Sequence, residues 1–176
     1  MKYTLHGPFE LPENAKKKVD LSPAQIVAFW KAANKSEREM LSDATGLFFF
    51  MFRAGRGIKP WYIGRAEKGS FEEETFTEER KAAYLKIARS RDRGTPLLVF
   101  IARRNEDGTF TQPGKVKHDD MTFVESYLIG LAMDKNADLL NVKENPMLQQ
   151  LEVSGLINTT KGKPSIAVQE LKKALR

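Results

Sequence analysis

Apolar residues are spaced in two ways along this chain, and the spacings predict its elements. In LSPAQIVAFWKAAN, Ile26, Phe29, Trp30 and Ala33 recur at helical intervals, with Ser22 placed to cap and Pro23 suited to the first turn. GLFFFMF, residues 46–52, is a continuous apolar run, as in a buried strand. RAGRGIKP supplies a turn and WYIG a returning strand, so 46–52 and 60–64 are expected as an antiparallel hairpin. FTEERKAAYLKIARSR returns to helical spacing, with Tyr84, Ile87 and Ala88 facing inward and Thr77 as the cap. TPLLVFIARR predicts a third strand over 96–103. MTFVESYLIGLAMDK predicts a helix apolar on nearly every side, which should therefore be buried. SIAVQELKKALR predicts a last helix.

The first 20 residues, broken by glycine and proline and carrying Lys16-Lys17-Lys18, read as a loop or arm. SEREMLSD predicts a second short helix. Two short helices would allow a helix-turn-helix, but the second lacks a core stripe. The order helix, strand, strand, helix, strand, helix, helix predicts an α+β fold. Its expected form is a small three-stranded antiparallel sheet flanked by helices, with N-terminal and C-terminal helical extensions.

Composition narrows the function classes. At 176 residues, 41% apolar and 30% charged, the chain reads as one globular domain with a sizeable core. No apolar run approaches the roughly 20 residues needed to span a bilayer, and MKYTLHGPFELPENAKKK lacks the apolar core of a signal peptide. The absence of cysteine removes disulfides and thiolate zinc sites. A cytoplasmic protein with no membrane partner is expected. A net charge of +6 and a pI near 9.5 favour a polyanionic partner. The charge is also segregated. Arg80, Lys81, Lys86, Arg89, Arg91, Arg93, Arg103 and Arg104 face only Asp92 in sequence, and a run of glutamates from Glu67 to Glu79 precedes them. Nucleic acid is the expected partner, DNA ahead of RNA, with Arg80, Lys81, Arg89 and Arg93 on the binding face. Lys161 and Lys163 flank a glycine before the last helix, an arrangement suited to a phosphate or to a simple basic turn.

Glu125 carries the sharpest candidate chemistry. Its neighbours are Phe123, Val124, Tyr127, Leu128 and Ile129, among which an ionised carboxylate is costly unless a cation or donor meets it. That partner is either an arginine or a hard divalent ion, which often takes one or two protein carboxylates together with waters and phosphate oxygens. His118 lies seven residues earlier, two helical turns, and shares the face of Glu125 if the helix begins early.

Gly46-Leu47-Phe48, Tyr62-Ile63-Gly64, a helix, a strand, and a glutamate helix followed by Leu140-Asn141 together resemble the GIY-YIG nuclease superfamily over Thr45 to Asn141. The acidic SFEEETFT segment and the GKPS tail are similar to a bacterial branch of it. The resemblance implies an N-terminal arm and helical extension over 1–44, a GIY-YIG-like domain over 45–141 and a C-terminal tail with a final helix over 142–176. It also implies metal-dependent phosphodiester hydrolysis, an endonuclease activity using Mg²⁺ or Mn²⁺. Glu125 matches the metal glutamate, Tyr62 the second motif tyrosine and Asn141 the late asparagine. The metal would act as Lewis acid and template, and fixed cations would oppose developing phosphate charge.

Two positions depart from the pattern. Phe48 stands where the first tyrosine belongs and has no oxygen to move a proton. The family arginine position falls on Glu72, within Glu72-Glu73-Glu74, where a carboxylate would repel a phosphate. Arg65 or Arg80 could replace that cation, and the glutamates are either extra metal ligands or a solvated helix face. Losing single electrostatic contributors often costs about 10²–10³ in rate. The sequence therefore supports two functions: a nuclease or weakened relative, and a catalytically inactive module that binds nucleic acid or a protein.

Overall fold

A computed structural model describes residues 1–55, 57–90, 94–133, 135–140 and 165–174, the last four as backbone alone. Asn141, Arg93, Lys161 and Lys163 lie outside the described residues. In chain order the elements are β1 (Lys2–Glu10), α1 (Pro23–Glu37), a 3-10 turn (Leu41–Asp43), β2 (Gly46–Ala54), β3 (Gly57–Ala66), α2 (Phe71–Thr75), α3 (Glu78–Arg89), β4 (Thr95–Arg104), α4 (Asp119–Met133) and α5 (Ile166–Ala174). Among the described residues the strands form one antiparallel sheet in the order β1-β4-β2-β3. The α+β class stands.

The expected three-stranded sheet is corrected to four strands, because the segment read as a loop or arm supplies β1. Lys2 to Glu10 pair with Arg104 to Leu97 along the free edge of β4, with an irregularity between His6 and Phe9. His6 is buried, its ring nitrogens 2.8 Å from Thr4 Oγ1 and 2.7 Å from Glu37 Oε2, which ties β1 to α1. Tyr3 donates to Asp120 Oδ2 at 2.7 Å, which ties the same strand to α4. The expected second helix is also absent as such: Ser36 and Glu37 end α1, and only Leu41–Asp43 adds a short turn. Ser22 sits at the N-cap of α1 without a side-chain cap bond, whereas Thr77 accepts from the Arg80 amide as expected.

Alternation along the central strands divides the core between the two sheet faces. One face carries Phe48, Phe50, Phe52, Leu98 and Phe100 against Phe29 and Trp30 of α1, Phe71 of α2 and Tyr84 and Ile87 of α3. The other packs Phe49 and Ile63 against Ile129 and Ala132 of α4. Gly64 opposes Phe48 across the hairpin, and a Cβ on it would fall 2.2 Å from Phe48 Cζ. The motif glycine thus makes room for a buried ring.

The expectation that α4 is buried is corrected as well. Met121, Ile129 and Ala132 are buried, while Phe123, Tyr127 and Leu131 are exposed on its outer side. One sheet face can cover only one stripe of a helix.

Candidate nucleic-acid interface

Among the described residues, the sequence-predicted site residues lie in three places. On β3, Tyr62 and Gly64 point to the face of α3, while Ile63 and Arg65 point to the face of α4. Tyr62 and Glu125 therefore lie on opposite faces of the sheet, and the structure does not bring them together as a shared phosphate site would require.

On the α3 face, Arg80 Nε donates to Tyr62 Oη at 3.3 Å, and its guanidinium lies 5.1 Å from the centre of the Phe48 ring. Arg80 Nη1 also bonds the Glu74 carbonyl and lies 2.8 Å from Glu74 Oε2. Burial disfavours the Arg80 charge, but Tyr62 and Glu74 more than offset it, so its pKa is raised and the cation persists. Arg80 is thus the cation beside Tyr62, while Glu72 is exposed. Two of the three neighbouring glutamates have structural partners. Ser70 and Glu73 form a reciprocal capping box at the start of α2, and Glu74 neutralises Arg80. Lys81 is likewise paired, 2.6 Å from Glu78 Oε1.

On the α4 face, Arg65 Nε lies 3.7 Å from both Glu67 Oε2 and Glu125 Oε2, and its Nη1 donates to Thr122 Oγ1. Glu67 also accepts from the His118 backbone amide at 2.5 Å. The helix begins at Asp119, so His118 enters this cluster through its backbone. Two carboxylates could suit a hard cation, but Arg65 already holds both of them. The residues as arranged do not fit a divalent ion without displacing that guanidinium. Among the described residues, no group of three or more His, Cys, Asp or Glu side chains is placed to hold a metal.

The third place was hidden in the sequence. A groove of about 850 Å³ lies between the loop before α1 and the C-terminal turn of α3, with Lys16, Lys17, Lys18 and Arg89 on its lining against Glu13. Its less exposed lining, taken as its floor, is apolar: Phe52 and Pro96 are buried, and Val19, Leu85 and Ala88 half-buried. The lysine loop is built. A bridge between Glu13 and Val19 closes it, the Asn14 side chain accepts from the amides of Lys16 and Lys18 at 2.9 and 3.2 Å, and Lys17 N donates to the Asn14 carbonyl at 2.9 Å. Lys17 takes a left-handed conformation, φ 53°, at the tip. The three lysines and Arg89 are all exposed. A second depression of about 580 Å³ shares Glu13, Lys17 and Gly94 with the first and adds Arg53. Arg53 itself is 2.6 Å from Glu10 Oε1. The lysine run was visible as a run. Its meeting with Arg89 depends on tertiary packing between segments some 70 positions apart in sequence.

No helix among the described residues is long and apolar enough to cross a membrane. Compared with protein-family models, with curated proteins and with solved structures, the chain matches none of them.

Proposed function

We propose that this chain binds nucleic acid, DNA ahead of RNA, through the groove between the lysine loop and the end of α3, as a catalytically weakened relative of the nucleases it resembles. The observation that carries this reading is the exposed rim of Lys16, Lys17, Lys18 and Arg89, where Glu13 is the one acid among the described lining residues. Exposed, weakly paired cations are the ones that can replace counterions on a phosphate backbone. Arg80 and Lys81, by contrast, are already paired with Glu74 and Glu78. A cytoplasmic location belongs to the same proposal. Reversing charge at Lys17 and Arg89 together should weaken binding to oligonucleotides of unrelated sequence alike, while Lys81→Glu should weaken it far less. Equal losses from both sets of changes would move the interface away from the groove.

Phosphodiester hydrolysis is the second reading, and two observations favour it: an arginine beside Tyr62, and a second arginine beside Glu125. Against it stands the sheet between the two groups. A metal at Glu125 would have to displace Arg65. Mn²⁺ is therefore expected to leave the melting temperature of the wild-type protein unchanged, and DNA incubated with the protein and Mn²⁺ should stay intact. Metal-dependent cleavage lost in both Tyr62→Phe and Glu125→Ala would restore the nuclease reading.

A further inference from the structure

We infer that the groove takes single-stranded nucleic acid in preference to duplex, with phosphates on its cationic rim and an unpaired base or sugar against its apolar floor. This deepens the reading above and rests on it. A duplex keeps its base faces stacked inside and offers a protein its phosphates and the edges of its grooves. Such a ligand could meet the lysines but would leave Val19, Leu85 and Ala88 uncovered. A single strand can turn a base out, and every base has an apolar face.

The dimensions agree with this. A cleft of about 850 Å³ falls within the range of small-ligand pockets, about 300–1,000 Å³. That is room for an extruded nucleoside. The adjoining depression reached through Lys17 offers a continuation for the strand on either side of that residue. Lys17 also holds the left-handed conformation in which an ordinary side chain is uncommon. Asn or Gly would fill that turn position more easily; a lysine there places a cation at the junction of the two depressions.

The test uses the full chain and fluorescently labelled oligonucleotides of one mixed sequence, presented single-stranded or annealed to the complement, at the same low salt. Poly-glutamate of similar charge serves as a third ligand. Binding of the single strand at least tenfold tighter than duplex and poly-glutamate, and its loss in the Lys17→Glu, Arg89→Glu double variant, supports the inference. Equal binding of single strand and duplex overturns it and leaves the nucleic-acid reading standing. Poly-glutamate binding as tightly as the single strand overturns both in favour of an acidic protein partner, and no binding by either nucleic acid overturns both outright. Ultraviolet crosslinking of a 5-iodouracil single strand gives a readout on the wild-type protein that no folding defect can blur. Adducts are expected on the peptide carrying Leu85 to Arg89, and adducts confined to α4 would contradict the site.

Discussion

Gly64 and Lys17 are backbone positions whose residue type can be argued in opposite directions. At Gly64 the absent side chain is required, since Phe48 occupies the space a Cβ would need. Gly64→Ala should destabilise the fold by about 1–3 kcal/mol through overpacking, read by denaturant unfolding; a neutral result would mean the hairpin can shift to accept a methyl group. At Lys17 the side chain is tolerated at a cost, because left-handed backbone disfavours ordinary L-residues by about 1–2 kcal/mol. Lys17→Asn should therefore keep or slightly raise the melting temperature while weakening oligonucleotide binding. A variant that loses stability and affinity together would make Lys17 a structural residue. The same scale explains the gap at Glu72. The resemblance implies a cation where Glu72 stands; in the fold Arg80 reaches Tyr62 from the next helix, a distance only the fold determines.

Among the elements, the inner strands β2 and β4 were legible because continuous apolar runs signal a strand buried on both faces, and the edge strand β3 because a glycine-rich turn precedes it. β1 was not. Its buried residue is His6, Leu5 is exposed, and Gly7-Pro8 interrupts the pattern, so its position comes from pairing with β4 and from side-chain ties. One such tie joins β1, β4 and α4. Asp120 accepts from Tyr3 at 2.7 Å and from Arg103 Nε at 2.9 Å. Burial pushes the Asp120 carboxyl up, but the bonds from Arg103 and Tyr3 outweigh it and hold its pKa below the ordinary value. A depressed carboxyl stabilises the fold above the unfolded pKa of about 3.9, and that contribution is lost as pH falls through the folded value. Asp120→Asn should then cost about 1.5–3 kcal/mol at pH 7, the range for hydrogen bonds to charged groups. The gap between variant and wild type should narrow below about pH 4. A constant gap from pH 7 to pH 3 would place the cost in packing instead of charge.

At the scale of the whole molecule, the net charge of +6 is arranged by pairing as much as by number. Arg65, Arg80, Arg103 and Arg104 are held by carboxylates within the fold, whereas Lys86 and Arg89 are exposed. The cations on the groove are exposed. The most direct test is the salt dependence of single-strand binding, measured by fluorescence anisotropy for the wild type and a Lys17→Asn, Arg89→Gln double variant. With Lys16, Lys17, Lys18 and Arg89 each meeting one phosphate, and about 0.7 counterion released per contact, the slope of log K against log salt should be about −3. Removing two of the contacts should bring it to about −1.5 on the same arithmetic. A wild-type slope near zero, or a slope the double variant leaves unchanged, would contradict binding through this groove.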